Sequence, residues 1–249
     1  MMRFRRLAFI VLVLAAAGCP KRAQVQPVSQ DAQEAIDQAT ANLEAKRYRQ
    51  AEDQFTFIIF NFPGLRQASD AQYYLAETYF RSKDYLQAQD EFEFYLKSFP
   101  NGRFQEEATY KLAVSYLRTA PSHVRDQSRV LKAQETINQF LETYPDSPLR
   151  PDAERLVGDI AERLALREFD AARIYYTSGE YKSALVYYNY VNGTYPAERW
   201  PNIERYRFAV SLLETADTTK AREVLGALVT GSCEPAVKKL ARAALARTN

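Results

Sequence analysis

Small and aromatic apolar residues return along this chain at fixed intervals. Ala39, Ala51, Phe55 and Pro63 follow the pattern Ala-x11-Ala-x3-aromatic-x7-Pro, and Ala76, Ala88, Phe92 and Pro100 repeat it without a gap. Ala172, Ala184, Tyr188 and Pro196 repeat it again. In all three segments a Tyr stands three residues before the second Ala: Tyr48, Tyr85 and Tyr181. A fourth copy keeps Ala113, Ala133, Ile137 and Pro145, with eight extra residues between the two Ala. A fifth keeps Ala209, Ala221 and Leu225 but ends on Cys233 instead of Pro. Between Asp152 and Ser178 there is no Pro, and Leu156, Ile160, Leu164, Phe169 and Ile174 recur at near-helical spacing.

These offsets resemble the tetratricopeptide repeat, a helix–turn–helix unit. Small Ala at a crossing lets two helix axes approach to the ~8–10 Å of close packing. An aromatic four residues after the second Ala lies on the same helix face. Pro then stops the second helix, because it lacks an N–H and clashes with the preceding turn. A chance pattern in a generic bundle would not repeat one set of offsets five times. The expected fold is therefore all-α: a right-handed tetratricopeptide-repeat solenoid of about five helix–turn–helix repeats. Repeats 1–3 occupy 31–147. A long helix after Pro151, repeats 4–5 and a polar capping helix occupy 148–249.

Composition narrows the chemistry. Eight Gly in 249 residues is about 3%, against a usual ~7%. Gly-rich phosphate loops and tight hairpins, which need positive φ, have little room. One His and two Cys exclude a His-based metal centre, a disulfide scaffold and a four-Cys zinc site. No H-E-x-x-H, G-x-S-x-G or Walker motif occurs. Glu106–Glu107 and Glu91–Glu93 fall on faces expected to be solvated, and His123 in a polar insertion. No catalytic residue, metal or cofactor is expected, and the chain reads as a binder and not an enzyme. Cys233 reads as a free, buried residue in a repeat turn.

The N-terminus is an address. Arg3, Arg5 and Arg6 precede an apolar run from Leu7 to Ala17, too short to span a ~30 Å hydrocarbon core. Ala16, Ala17 and Gly18 lead into Cys19. Residues 1–18 are expected to be a signal peptide. The small-small-Cys ending resembles a bacterial lipobox, in which the Cys is acylated and becomes the new N-terminus. A covalent lipid at Cys19 would anchor the chain to a membrane, and residues 19–30, with two Pro, would form a flexible tether. Removing three Arg from the 33 basic residues leaves 30 against 31 acidic, a net of −1. Nucleic-acid binding, which needs clustered Lys and Arg, loses its support.

A lipidated Cys followed by five such repeats resembles the BamD-like lipoproteins of outer-membrane-protein assembly. The resemblance is carried by Arg125–Asp126, by Tyr144-Pro145 with Ser147, and by Leu164-Ala165 with Glu168. It continues in Tyr175-Tyr176, with Gly179 and Tyr181. Such proteins often carry an Arg on the second helix of repeat four, where this chain has Tyr187. The resemblance implies a scaffold at the periplasmic face of the outer membrane. Its N-terminal repeats would bind the C-terminal signals of unfolded outer-membrane proteins. Its C-terminal repeats would dock on the periplasmic domains of a BamA-like barrel protein, with Tyr176, Tyr187 and Tyr206 as partner contacts. An adaptor for other cell-envelope or peptidoglycan machinery is the alternative.

The peptide site is expected on the first helices of repeats 1–3. Ile36, Tyr73 and Tyr110 stand at one position of successive repeats, and Leu43, Phe80 and Leu117 at another. Arg81 and Arg118 follow directly. Tyr and Phe offer large contact area with few rotatable bonds, and Arg can pair with a terminal carboxylate. The same positions serve equally well for packing between repeats.

Overall fold

The computed structural model describes residues 28–121, 126–196 and 199–248. The signal peptide, Cys19, His123 and Arg125 lie outside them. The described residues form eleven α-helices: α1 (Val28–Glu44), α2 (Tyr48–Asn61), α3 (Arg66–Arg81), α4 (Tyr85–Ser98), α5 (Gln105–Thr119), α6 (Ser128–Thr143), α7 (Arg150–Thr177), α8 (Tyr181–Thr194), α9 (Asn202–Glu214), α10 (Thr218–Thr230) and α11 (Pro235–Leu245). They pair as α1/α2, α3/α4, α5/α6, the second half of α7 with α8, and α9/α10, with α11 closing the end on α9 and α10. This is a tetratricopeptide-type solenoid. Helix begins at Val28, inside the segment expected as tether. Asp31 in its first turn complements the positive end of the helix dipole.

The repeat signature is the core. All ten signature alanines, Ala39 to Ala221, are fully buried, as are Phe55, Phe92, Ile137, Tyr188 and Leu225. Pro63, Pro100, Pro145 and Pro196 each follow the C-cap of the second helix. The first helices of successive repeats touch one another, while the second helices stay farther apart, so the stack curves toward the first-helix side.

One helix belongs to two cores. Ala153, Leu156 and Ile160 of α7 pack with Ala113, Ile137 and Phe140 of repeat 3. Ala165, Phe169 and Ala172 of the same helix pack with Tyr188, Trp200 and Phe208 of repeats 4 and 5. At 28 residues α7 is about 42 Å long.

Four of the turns inside repeats close in the same way. Lys46, Lys83, Gly179 and Ala216 adopt left-handed φ of 59, 67, 78 and 69°. The next N–H reaches back five residues to a helix carbonyl, as in Asp84 to Tyr79 (2.9 Å) and Asp217 to Leu212 (2.9 Å). A Cβ at positive φ is strained, and Gly removes that strain. Ala216→Gly should therefore raise the unfolding free energy by about 0.5–1 kcal/mol and Gly179→Ala should lower it comparably. Urea midpoints of the two variants check both signs.

Candidate functional site

The first-helix side carries a groove of about 490 Å³ between α5 and α7. Tyr110, Val114, Leu117 and Arg118 form the α5 wall. Arg155, Leu156, Asp159, Glu162, Arg163 and Leu166 form the α7 wall, with Asp152 at one end. Tyr110 is half-buried, its ring 5.9 Å from Phe140. Burial pushes its hydroxyl pKa up, against the opposing pull of Arg155 and Arg118. Arg155 pairs with Asp152. Arg118 and Arg163 make no hydrogen bond or ion pair among the described residues. The groove thus offers apolar floor and unspent guanidinium together, a combination suited to a chain segment with an aromatic side chain and a carboxylate.

The rest of the expected ladder is closed. Ile36 and Leu43, 4% and 1% exposed, lie in the core between α1, α2 and α3. Tyr73, 5% exposed, stacks on Phe104 at 4.1 Å. Phe80 packs edge-on to Tyr85 and Phe92. Ile36, Leu43 and Tyr73 are thus buried packing residues, and Phe80, half-buried, packs within repeat 2. Of the expected peptide contacts, the structure gathers Tyr110, Leu117 and Arg118 at one place.

Arg81 is occupied. Its Nη1 donates to Glu44 at 2.8 Å and its Nε to Glu77 at 2.6 Å. Lys111 Nζ donates to Glu77 (2.5 Å) and to the Tyr73 hydroxyl (3.0 Å). A chain of charges therefore stitches α1 to α3 to α5. Burial chiefly, and then Glu77, hold the Tyr73 hydroxyl protonated far above its ordinary range. Glu44, Arg81 and Arg118 occupy one register, 37 residues apart. For Arg118 the position of Glu44 is taken by Arg81, a like charge, and the position of Glu77 by Val114, so Arg118 has neither partner. Glu44, Glu77 and Lys111 were missed from sequence; the Glu77–Arg81 spacing of four was the available signal.

Three of the four carboxylates expected on solvated faces are instead ties to other parts of the chain. Glu91 accepts from Gln72 (2.6 Å), Glu93 from Tyr116 (2.5 Å) and Glu106 from Ser147. Cys233 is free and half-buried, not buried, its Sγ donating to the Leu228 carbonyl at 3.1 Å.

The three C-terminal tyrosines separate. Tyr176 and Tyr206 are half-buried where α7 meets α9. Burial, helped by Tyr206 and Tyr181, pushes the Tyr176 hydroxyl up to about 12. Tyr187 lies on α8 with its ring stacked 5.5 Å from Tyr175. Near it Val186 and Tyr190 are exposed. Among the described residues no group of three or more His, Cys, Asp or Glu could hold a metal ion, and no helix is long and apolar enough to cross a membrane.

A curved repeat stack with a groove on its inner side defines a tetratricopeptide scaffold for binding other chains. The sequence matches the family described as YfiO, outer membrane lipoprotein, over residues 28–216, and the chain belongs to that family. No curated protein matches the sequence at a significant level. Among solved structures it is similar to the TPR2AB-domain:pHSP90 complex of yeast Sti1, at 10% identity and a TM-score of 0.52, covering 88% of this chain and 83% of that one. A thermophilic TPR protein from Thermus thermophilus matches at 15% identity and a TM-score of 0.39, covering 86% and 99%. At 10% identity the likeness to the yeast complex is one of fold alone.

Removing the charge at the centre of the stitch tests it. Glu77→Ala leaves Lys111 and Arg81 without their shared acceptor and should cost about 2 kcal/mol, a buried charge-assisted contact discounted for partial exposure. Urea unfolding measures the loss, and Arg81→Ala, more exposed, should cost less.

Proposed function

We propose that this chain is an outer-membrane-anchored, periplasmic scaffold of the β-barrel assembly machinery. Residues 1–18 direct export, and Cys19 carries the lipid. The α5–α7 groove binds the C-terminal signals of unfolded outer-membrane proteins. Repeats 4 and 5 dock on the periplasmic domains of a BamA-like barrel protein through the surface around Tyr187. Family membership supports the membrane location, and the sequence resemblance supports the machinery.

The observation that carries the peptide reading is the pairing of Tyr110, Val114 and Leu117 with an Arg118 that has no ion-pair partner among the described residues. An aromatic side chain would fill the apolar floor, and a terminal carboxylate would take the guanidinium. Burial of that floor raises the strength of the ion pair above its value in open water. The adaptor alternative draws on Tyr187, which stands where related proteins carry Arg.

Tyr110→Ala combined with Arg118→Ala should weaken binding of a peptide copying an outer-membrane-protein C-terminus by roughly tenfold or more, as truncating two central contacts does. Calorimetry measures it, with helicity unchanged as the control for folding. Unchanged affinity removes the groove from the site. Depletion of the protein separates the two readings: loss of porins supports barrel assembly, and a division or wall defect with normal porins supports the adaptor.

A further inference from the structure

The large apolar side chains left open to solvent are not in the groove. Most stand on the second helices, on the outer side, and three of them, Phe57, Phe94 and Tyr190, share one register. On α2 the outward stripe runs Arg49, Asp53, Phe57, Phe60; on α4 the equivalent stripe, 37 residues on, runs Leu86, Asp90, Phe94, Lys97. Phe57, Phe60 and Phe94 are 55, 77 and 52% exposed. Tyr190, 63% exposed, holds the register of Phe57 and Phe94 in repeat 4. Such a row in one register exceeds the scattered exposed apolar residues of an ordinary surface.

The aromatic residues also share one end of the repeats. Phe57 and Phe60 lie in the C-terminal half of α2, and Phe94 in that of α4. Because α1 and α2 are antiparallel across a three-residue turn, the C-terminal end of α2 lies beside the N-terminal end of α1. The chain leading back to Cys19 therefore leaves the solenoid at the edge where the phenylalanines stand. Eight residues lie between Cys19 and Val28, nine Cα steps with a reach of at most ~32 Å.

We infer that the outer edge of repeats 1 and 2, through Phe57, Phe60 and Phe94, rests on the bilayer that holds the lipid anchor. This rests on acylation at Cys19. Phenyl rings on an amphipathic surface settle at the boundary of headgroup and acyl chain. Three rings give weak affinity alone, and the anchor supplies the high effective concentration that makes weak contact persistent. Arg49 and Lys97 cancel Asp53 and Asp90, so the stripe is neutral and takes a zwitterionic surface without charge attraction. The arrangement sets the solenoid edge-down, with the inner groove open to the periplasm.

The acylated full-length protein, carrying Phe60→Trp, tests this in phosphatidylcholine vesicles with brominated acyl chains. Trp200 is 3% exposed in the repeat 4–5 core and serves as an internal emitter shielded from the lipid. The protein should float with the vesicles. The new Trp should shift to shorter wavelength and be quenched by brominated lipid, equally at low and high salt. Adding Phe57→Ser and Phe94→Ser, both at exposed positions, should abolish the quenching while flotation persists. Flotation without quenching overturns the docking and leaves the anchor intact. Failure to float overturns the anchor and, with it, the docking. Quenching that disappears at high salt overturns the neutral, ring-driven contact.

Discussion

Everything in this molecule depends on ten alanines that allow helix axes to come close. With no side chain beyond Cβ, each leaves its partner helix free to approach, and the aromatic or branched residue one turn later fills the space beside the crossing. The unit cannot bury its apolar face alone, so repeats stack and share cores, as in other solenoids. Between successive repeats the first helices approach one another more closely than the second helices do, and this bends the stack. The groove, the charged stitch and the outer aromatic stripe are what remains on its two sides.

The third-to-fourth repeat junction departs from this regularity, and the departure produces the candidate site. An extended α7 serves the core of repeat 3 with its first half and the core of repeat 4 with its second. Its first half lies along α5 and forms the second wall of the groove. Arg118, on the other wall, lacks the partners of Arg81 because Arg81 and Val114 stand where Glu44 and Glu77 serve the preceding repeat.

The fold was legible because small-residue spacing, aromatic spacing and helix-stopping Pro each report helix crossings independently, and here they agree. The site was legible only in part. Tyr73 and Tyr110 occupy the same repeat position, yet one stacks on Phe104 in the core and the other lines the groove. Local sequence cannot separate them, because the difference lies in which helix comes next and how far it extends. Arg81 and Arg118 differ for a local reason: Glu77 stands four residues before Arg81, and Val114 four before Arg118. The ties made by Glu91, Glu93 and Glu106 were read as solvated charge because their partners lie 19 to 41 residues away in the chain.

The most direct measurement places a photoreactive side chain at Val114, in the middle of the α5 wall, in cells with an intact envelope. Adducts with unfolded outer-membrane proteins, mapping to their last residues, are the expected result. Adducts from the groove exclusively to cell-wall proteins, or adducts to outer-membrane proteins that map away from their C-termini, would contradict it.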